Sequence, residues 1–501
     1  MGRRAAPDGI RTVSQTLDKN RGMGQDNETY ILPERILAVM FFSPATIYVF
    51  LLLIAAFGSS AQEIITRDVC ILGGGATGTY AAVQLIERGH SVVVVERENR
   101  LGGRSDTLYL PDGQYIDYGI RAYFKLQVVL DFLEQLNVDW SIYVPPAIHT
   151  DYINFQTGER VSNNNSVIDM VLALFRYRAA IQPFDYLSTG GYYLPDPVPE
   201  VLLRPFKEFV EEHDVAGVLR LLYTFSDPLS DVLGTPLLYV LQMFGNSQID
   251  ALLTGPMIHP KNGSNEIFRA AAERIGENNI LYGTTAVNAT RDSAGVELVV
   301  DRAGVRQTVR ARQVLIAFAP LLPEIQGFDL DDNEHAVFSK LLHQNYYAAV
   351  VNSTGLPEGY YIYNSDPANE PGNLPTGDYQ SVLDYHGVPG YYATRVVGGE
   401  NFTQADAQQR VIDDLQRMAN VGTFPIRDTR IVTIESHSPI AVSVPVDDVR
   451  NGFYRQLYAL QGHRSTYYTG FTFCVDYSAQ LWNYTLSIVD RMTAGLSRVD
   501  L

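Results

Sequence analysis

The sequence predicts an α/β protein built around a parallel sheet covered on both faces, and three observations carry that reading. A short stretch of apolar strand formers, residues 68–72, runs directly into the turn Gly73-Gly74-Gly75-Ala76-Thr77-Gly78. A segment with helical spacing follows, and then a nearly all-valine stretch, residues 91–95, which ends in Glu96. Strand, turn, helix and second strand in that order form a βαβ unit, whose strands run parallel and are buried on both sides.

Each element has a physical reason. In the turn, Gly73, Gly75 and Gly78 fill the three fixed positions of G-x-G-x-x-G. The first permits the tight bend, the second lets a pyrophosphate reach the backbone, and the third allows the helix to pack on the strand. With Ala76 and Thr77 they form a loop that can touch phosphate through its amides. The helix is expected over residues 76–88, with Ala81, Ala82, Leu85 and Ile86 as its buried face and Gly89 as its stop. Its free N-terminal amides favour an anion. Glu96 stands 18 residues after Gly78, where a carboxylate accepts hydrogen bonds from the ribose of an adenosine. A glycine turn arising by chance lacks these flanking parts.

The continuation separates one dinucleotide from another. Arg97 adjoins Glu96, and Arg100-Leu101-Gly102-Gly103-Arg104 follows at once. With Glu96 this stretch resembles the E-x-x-x-R-x-G-G-R extension of the flavin-containing amine oxidase superfamily. There the glycines let the backbone close over the pyrophosphate of FAD while an arginine faces its charge. Ile116-Asp117-Tyr118-Gly119 resembles the next landmark of that superfamily. Residues 279–290, including Val287, are similar to the strand that returns beside the adenine. Val314 to Pro320 are similar to the apolar strand that ends beside the FAD, and Tyr467-Tyr468-Thr469-Gly470 to the final strand and glycine under the flavin. A closing helix is expected over residues 478–492. Within the superfamily the chain most resembles fungal FAD-dependent oxidoreductases of the β-cyclopiazonate dehydrogenase type, with Leu481-Trp482 among the matching residues.

The resemblance implies a Rossmann-like FAD-binding domain interleaved with an α+β substrate domain. Residues 62–125, 255–320 and 450–501 are assigned to the first, residues 126–254 and 321–449 to the second. It also implies noncovalent FAD and a two-electron oxidation of a small organic substrate, with oxygen or another acceptor taking the electrons. No second G-x-G-x-x-G follows a strand downstream, so no NAD(P)H domain is expected, and no metal site is expected either. Two departures argue against simple amine oxidation. Gly470 is followed by Phe471-Thr472-Phe473 where an acidic residue is usual, and Tyr346-Tyr347-Ala348-Ala349 supplies no lysine beside the flavin. An amine or amino-acid oxidase and a non-catalytic FAD-binding protein remain the alternatives.

No catalytic acid or base stands out. His463, Tyr467, Tyr468 and Tyr477 are candidates by position alone, and ordinary packing competes with catalysis for each. Cys70 and Cys474 are the only cysteines, so no disulfide framework is expected, although one bridge between them stays open. Cys474 as a covalent flavin link is the less favoured reading.

The formal net charge of -18 repels phosphodiester backbones, which excludes nucleic acid as a natural partner. Hydrophobic residues at 46% are enough for ordinary globular cores. Residues 36–57 form one long apolar run, preceded by Arg3, Arg4, Arg11, Lys19, Arg21 and Arg35 and followed by Gly58-Ser59-Ser60-Ala61. That layout predicts a leader over residues 1–61, with cleavage before Gln62 and export by the secretory route. An uncleaved run would instead anchor the protein in a membrane. Seven N-x-S/T sequons, at Asn27, Asn164, Asn262, Asn288, Asn352, Asn401 and Asn483, point to the same route.

Overall fold

The computed structural model describes residues 64–163 and 166–496. The expected leader, its apolar run and the sequons at Asn27 and Asn164 lie outside these residues. The described part belongs to one compact unit that begins at Gln62. Among the described residues, no helix is long and apolar enough to cross a membrane.

Strand β1 (Ile64–Leu72) leads through the glycine turn into helix α1 (Ala76–Glu87), and strand β2 (Val92–Val95) follows. The four valines of β2 are all buried, and Val69 to Leu72 of β1 are at most 2% exposed. β-branched side chains suit both faces of such a strand because they pack on the pleat without losing rotamers. β1 lies parallel to β2 on one side and to strand β3 (Val305–Ile316) on the other. β3 has 12 residues, long enough to hold two neighbours in succession. Its first half pairs antiparallel with Val296–Arg302, and residues 314–316 pair parallel with strand β4 (Thr466–Tyr468). Ile280–Leu281 closes the far edge beside β2.

The closing helix α2 (Ser478–Leu496) runs four residues past the expected end and packs against α1. Trp482 explains the contact. Its ring is fully buried, stacks on Tyr80 at 5.6 Å between centroids, and its Nε1 donates to Ala76 O at 3.1 Å. That bond uses an indole N–H that burial would otherwise leave unpaired.

A second sheet holds the strands Arg427–Ser436, Leu342–Thr354, Tyr391–Gly398, Tyr379–Tyr385, Tyr360–Asn364 and His149–Ile153 in that order, with Ile440–Ser443 beside one end of Leu342–Thr354. One face is covered by the helix Gln404–Asn420, whose Ala407, Val411, Leu415 and Met418 are buried. The apolar segments Leu219–Ser226 and Leu237–Met243 are helices. Tyr346 donates to Asp227 Oδ2 at 3.3 Å, and Ala348 and Ala349 are buried in the strand that lacks the family's lysine.

An ion cluster ties the end of β4 to the rest. Arg291 and Glu334, both with fully buried side chains, pair twice at 2.7 and 2.9 Å, and Asp329 takes the Arg291 Nε at 2.8 Å. Tyr468 donates to Glu334 Oε1 at 2.9 Å, and Arg464 donates to Arg291 O and to Asp329. A buried charge is tolerated when it is paired and hydrogen-bonded, and here four of the five Arg291 N–H donors have acceptors.

Candidate active site

The parallel strands β1, β2, β3 and β4 all end at one crevice. Gly73 N donates to Val95 O, Ala317 N to Leu72 O and Thr469 N to Ile316 O, at 2.8 to 3.0 Å, so the loops after the four strands are stitched together there. A cleft of about 430 Å³ opens at this point. Crevices outside the carboxyl ends of parallel strands are where this architecture binds ligands.

The glycine turn shapes the floor. A Cβ on Gly78 would lie 1.9 Å from Gly73 O, so only glycine lets α1 start so close to β1. Gly75 differs: it caps α1 with an ordinary φ of −68°, and a Cβ there would meet nothing nearer than Gly103 Cα at 4.0 Å. Space on Gly75 is therefore kept for something other than protein. No side chain caps the helix and its first turn holds no acidic residue, so its leading amides are free for an anion.

Glu96 is buried, and each carboxylate oxygen takes one backbone amide: Gly74 N at 2.6 Å and Glu98 N at 2.7 Å. Burial pushes its carboxyl upward, and the two amides oppose that shift. Arg97 lies at the rim, 3.7 Å from Glu324. Arg100 pairs with Asp106 and donates to Gly103 O at 3.0 Å. Arg104 pairs with Asp476 and lies over the Phe471 ring at 4.2 Å.

Gly73, Gly75, Ala76, Thr77, Glu96, Arg97, Arg100, Gly102, Gly103, Arg104 and Gly470 all line the cleft, although they come from both ends of the chain. Gly78 lies beneath it. Val287 is outside the lining, which Thr284, Thr285 and Ala286 form instead. The reason is a one-residue bulge: Asn288 faces Val299 and Ala286 faces Val300, leaving Val287 unpaired between them.

None of His463, Tyr467, Tyr468 and Tyr477 lines the cleft. His463 lies 2.6 Å from Asp331, the cap of the helix Asp332–Phe338, and Tyr468 belongs to the Arg291–Glu334 cluster. Tyr467 sits in β4 opposite Leu315, and Tyr477 donates to Met243 O at 2.6 Å. Cys70 and Cys474 are free and fully buried, and burial pushes both thiols up. No bridge joins them, and neither sulfur lines the cleft.

The histidine that does line it is His437, on the turn after Arg427–Ser436. Its Nε2 lies 2.7 Å from Asp106 Oδ2, and its ring is 5% exposed. Burial lowers its proton affinity, and the Asp106 carboxylate acts against that. Sequence reasoning passed over it because nothing local to residues 435–439 signals a site.

A second cavity, of about 250 Å³, shares Phe471 and Asp476 with the cleft. The Arg104–Asp476 pair and the Phe471 ring therefore form the partition between the two. Among the described residues, an uncapped helix start, a buried carboxylate at the end of β2 and arginines beside a glycine pair fit a flavin dinucleotide in the cleft, with a second space beyond it.

A family model for an NAD(P)-binding Rossmann-like domain matches residues 71–136. The chain is 37% identical over 441 residues to β-cyclopiazonate dehydrogenase of Aspergillus oryzae, covering 88% of this chain and 96% of that protein. A CLA-producing fatty acid isomerase from P. acnes superposes with a TM-score of 0.69 at 19% identity, covering 85% of this chain and 98% of the other. A putrescine oxidase triple mutant superposes at 0.62 and 15% identity, covering 86% and 100%. The two likenesses of structure show a common fold. The chain belongs to the family of fungal FAD-dependent oxidoreductases that includes β-cyclopiazonate dehydrogenase, and it takes FAD as its cofactor.

Proposed function

We propose that this oxidoreductase removes a hydride from a small, secondary-metabolite-like substrate held in the second cavity, and that oxygen or another acceptor completes turnover without a nicotinamide partner. The observation that carries this reading is the shared wall of the two cavities at Phe471 and Asp476. FAD, when bound, supplies the two-electron acceptor.

The chain's own residues do the rest. The amides at the start of α1 and the Gly102–Gly103 pair would hold a pyrophosphate, and Glu96 faces the cleft with Gly74 N and Glu98 N each donating to one of its oxygens. Arg104, fixed between Asp476 and Phe471, sets the depth to which ligands on either side can reach. His437 holds its ring against Asp106 and presents a preset imidazole to the cleft. Buried aromatic and aliphatic side chains keep the junction dry, which strengthens each of these polar contacts.

Anaerobic mixing of the purified holoprotein with a panel of candidate metabolites tests the reading. A member of the panel should bleach the visible flavin absorbance, and air should restore it. Acid precipitation should leave yellow flavin in the supernatant. Protein that carries no flavin ends the proposal, and peroxide with ammonia among the products would mark an amine oxidase instead. We also propose, from the leader layout and the sequons, that the chain enters the secretory pathway.

A further inference from the structure

The second cavity has a chemical character that narrows the substrate. Its wall is made of Tyr192, Leu229, Tyr239, Met243, Val442 and Phe471, with their neighbours. Among the described residues Asp476 is the one charged group in that wall, and Arg104 already neutralises it. The polar groups are mostly engaged as well. Tyr239 accepts from Val444 N at 3.0 Å and pairs with Tyr454 at 3.1 Å, Thr235 donates to Asp231 O at 2.6 Å, and Gln242 donates to Gly191 O at 3.2 Å. Among the described residues, two polar side chains in the wall, Gln344 and Ser443, take no hydrogen-bond partner, and both lie where Leu342–Thr354 meets Ile440–Ser443.

We infer that the second cavity is a subsite for a neutral, predominantly apolar ring system carrying one hydrogen-bonding group such as a carbonyl or hydroxyl, which Gln344 and Ser443 receive. The inference rests on the oxidoreductase reading for the adjoining cleft. Its physical basis is desolvation. An ammonium or carboxylate entering this space gives up water and meets no unpaired opposite charge, whereas an apolar ring loses only ordered water. The half-buried pair Arg104–Asp476 is already satisfied, so a charged ligand would have to compete with one partner for the other.

One ring with three charges provides the test. Holoenzyme is titrated by calorimetry at neutral pH with 2-acetylnaphthalene, 2-naphthylmethylamine and 2-naphthoate. The ketone should bind, and the amine and the acid should each bind at least ~10-fold more weakly. Val442→Phe fills the space and should weaken ketone binding by about the same factor, with unchanged flavin content as the check on folding. Gln344→Glu, which adds a carboxylate without adding bulk, should turn the preference toward the amine. Equal or tighter binding of the amine by the parent protein overturns the inference. So does a folded Val442→Phe variant that binds the ketone as before, and if that variant does not fold, an unaltered preference in Gln344→Glu does the same. Heat of binding is read without turnover. A chain that binds the ketone but is bleached by no substrate therefore loses the oxidoreductase reading and keeps this one.

Discussion

His437 and Asp106 meet across 331 positions of chain, with 2.7 Å between Nε2 and Oδ2, and Arg100 closes on the same carboxylate from the cofactor side. The contact joins the loop after β2 to the second sheet.

Acidification should therefore weaken this joint. Burial makes His437 and His386 poorer proton acceptors folded than unfolded, where their ordinary value is near 6.5. Below that value the unfolded chain takes up more protons, so their contribution is complete above it and is lost as the pH falls beneath it. Asp414 works the other way: burial pushes its carboxyl up to about 7, and its protonation favours the folded state in acid. The informative quantity is thus a difference. Urea unfolding of the parent and of His437→Gln between neutral and mildly acid pH should show the parent losing more stability, and parallel curves would contradict the assignment.

Gly75→Val and Gly78→Ala should fail in different ways. A Cβ on Gly75 would point into open cleft, so the valine variant should fold with the thermal stability of the flavin-stripped parent and purify without flavin. A Cβ on Gly78 strikes Gly73 O, so the alanine variant should lose about 1–3 kcal/mol or more of stability before cofactor is considered. Calorimetry and the visible spectrum separate the two, and a yellow Gly75→Val protein would move the phosphate site.

Glu96→Gln should weaken FAD binding by about 1–3 kcal/mol, because the carboxylate expected to accept from the ribose hydroxyls becomes a neutral amide. Titration of stripped protein with FAD measures this. An unchanged dissociation constant would remove Glu96 from the site.

Arg291→Met should cost about 3–5 kcal/mol, since it strands a fully buried Glu334. Arg291→Met combined with Glu334→Leu should recover much of that loss. A double variant as unstable as the single one would mean that Asp329, Arg464 and Tyr468, and not the pair itself, hold the cluster.

Export predicts a mature chain that begins near Gln62 and carries N-glycans at the exposed Asn262, Asn401 or Asn483. Asn352 is a poor acceptor because its Nδ2 donates to Gly390 O at 3.2 Å and the residue is half-buried. Mass spectrometry of protein from its native host reads both the first residue and the glycans. An intact Met1 with every sequon bare would refute export.

The sequence by itself determined the parts of this protein whose signals are local. Gly73 to Gly78, the valines of β2 and Glu96 lie within 30 residues of one another, and their spacing is dictated by backbone geometry that no distant contact alters. The same holds for Arg100 to Arg104. Tertiary structure alone decided which polar groups reach the cleft. His437 carries no local mark and became a lining residue only when Arg427–Ser436 was laid beside Leu342–Thr354, whereas His463 and Tyr468, adjacent to a recognisable strand, were drawn into the charges of Arg291, Asp329, Asp331 and Glu334. Val287 was displaced by a bulge that depends on its partner strand. Side-chain direction in a sheet is set by register, register by the neighbouring strand, and the neighbour here arrives from elsewhere in the chain, so a linear reading could locate the cofactor and leave the chemistry around it to the fold.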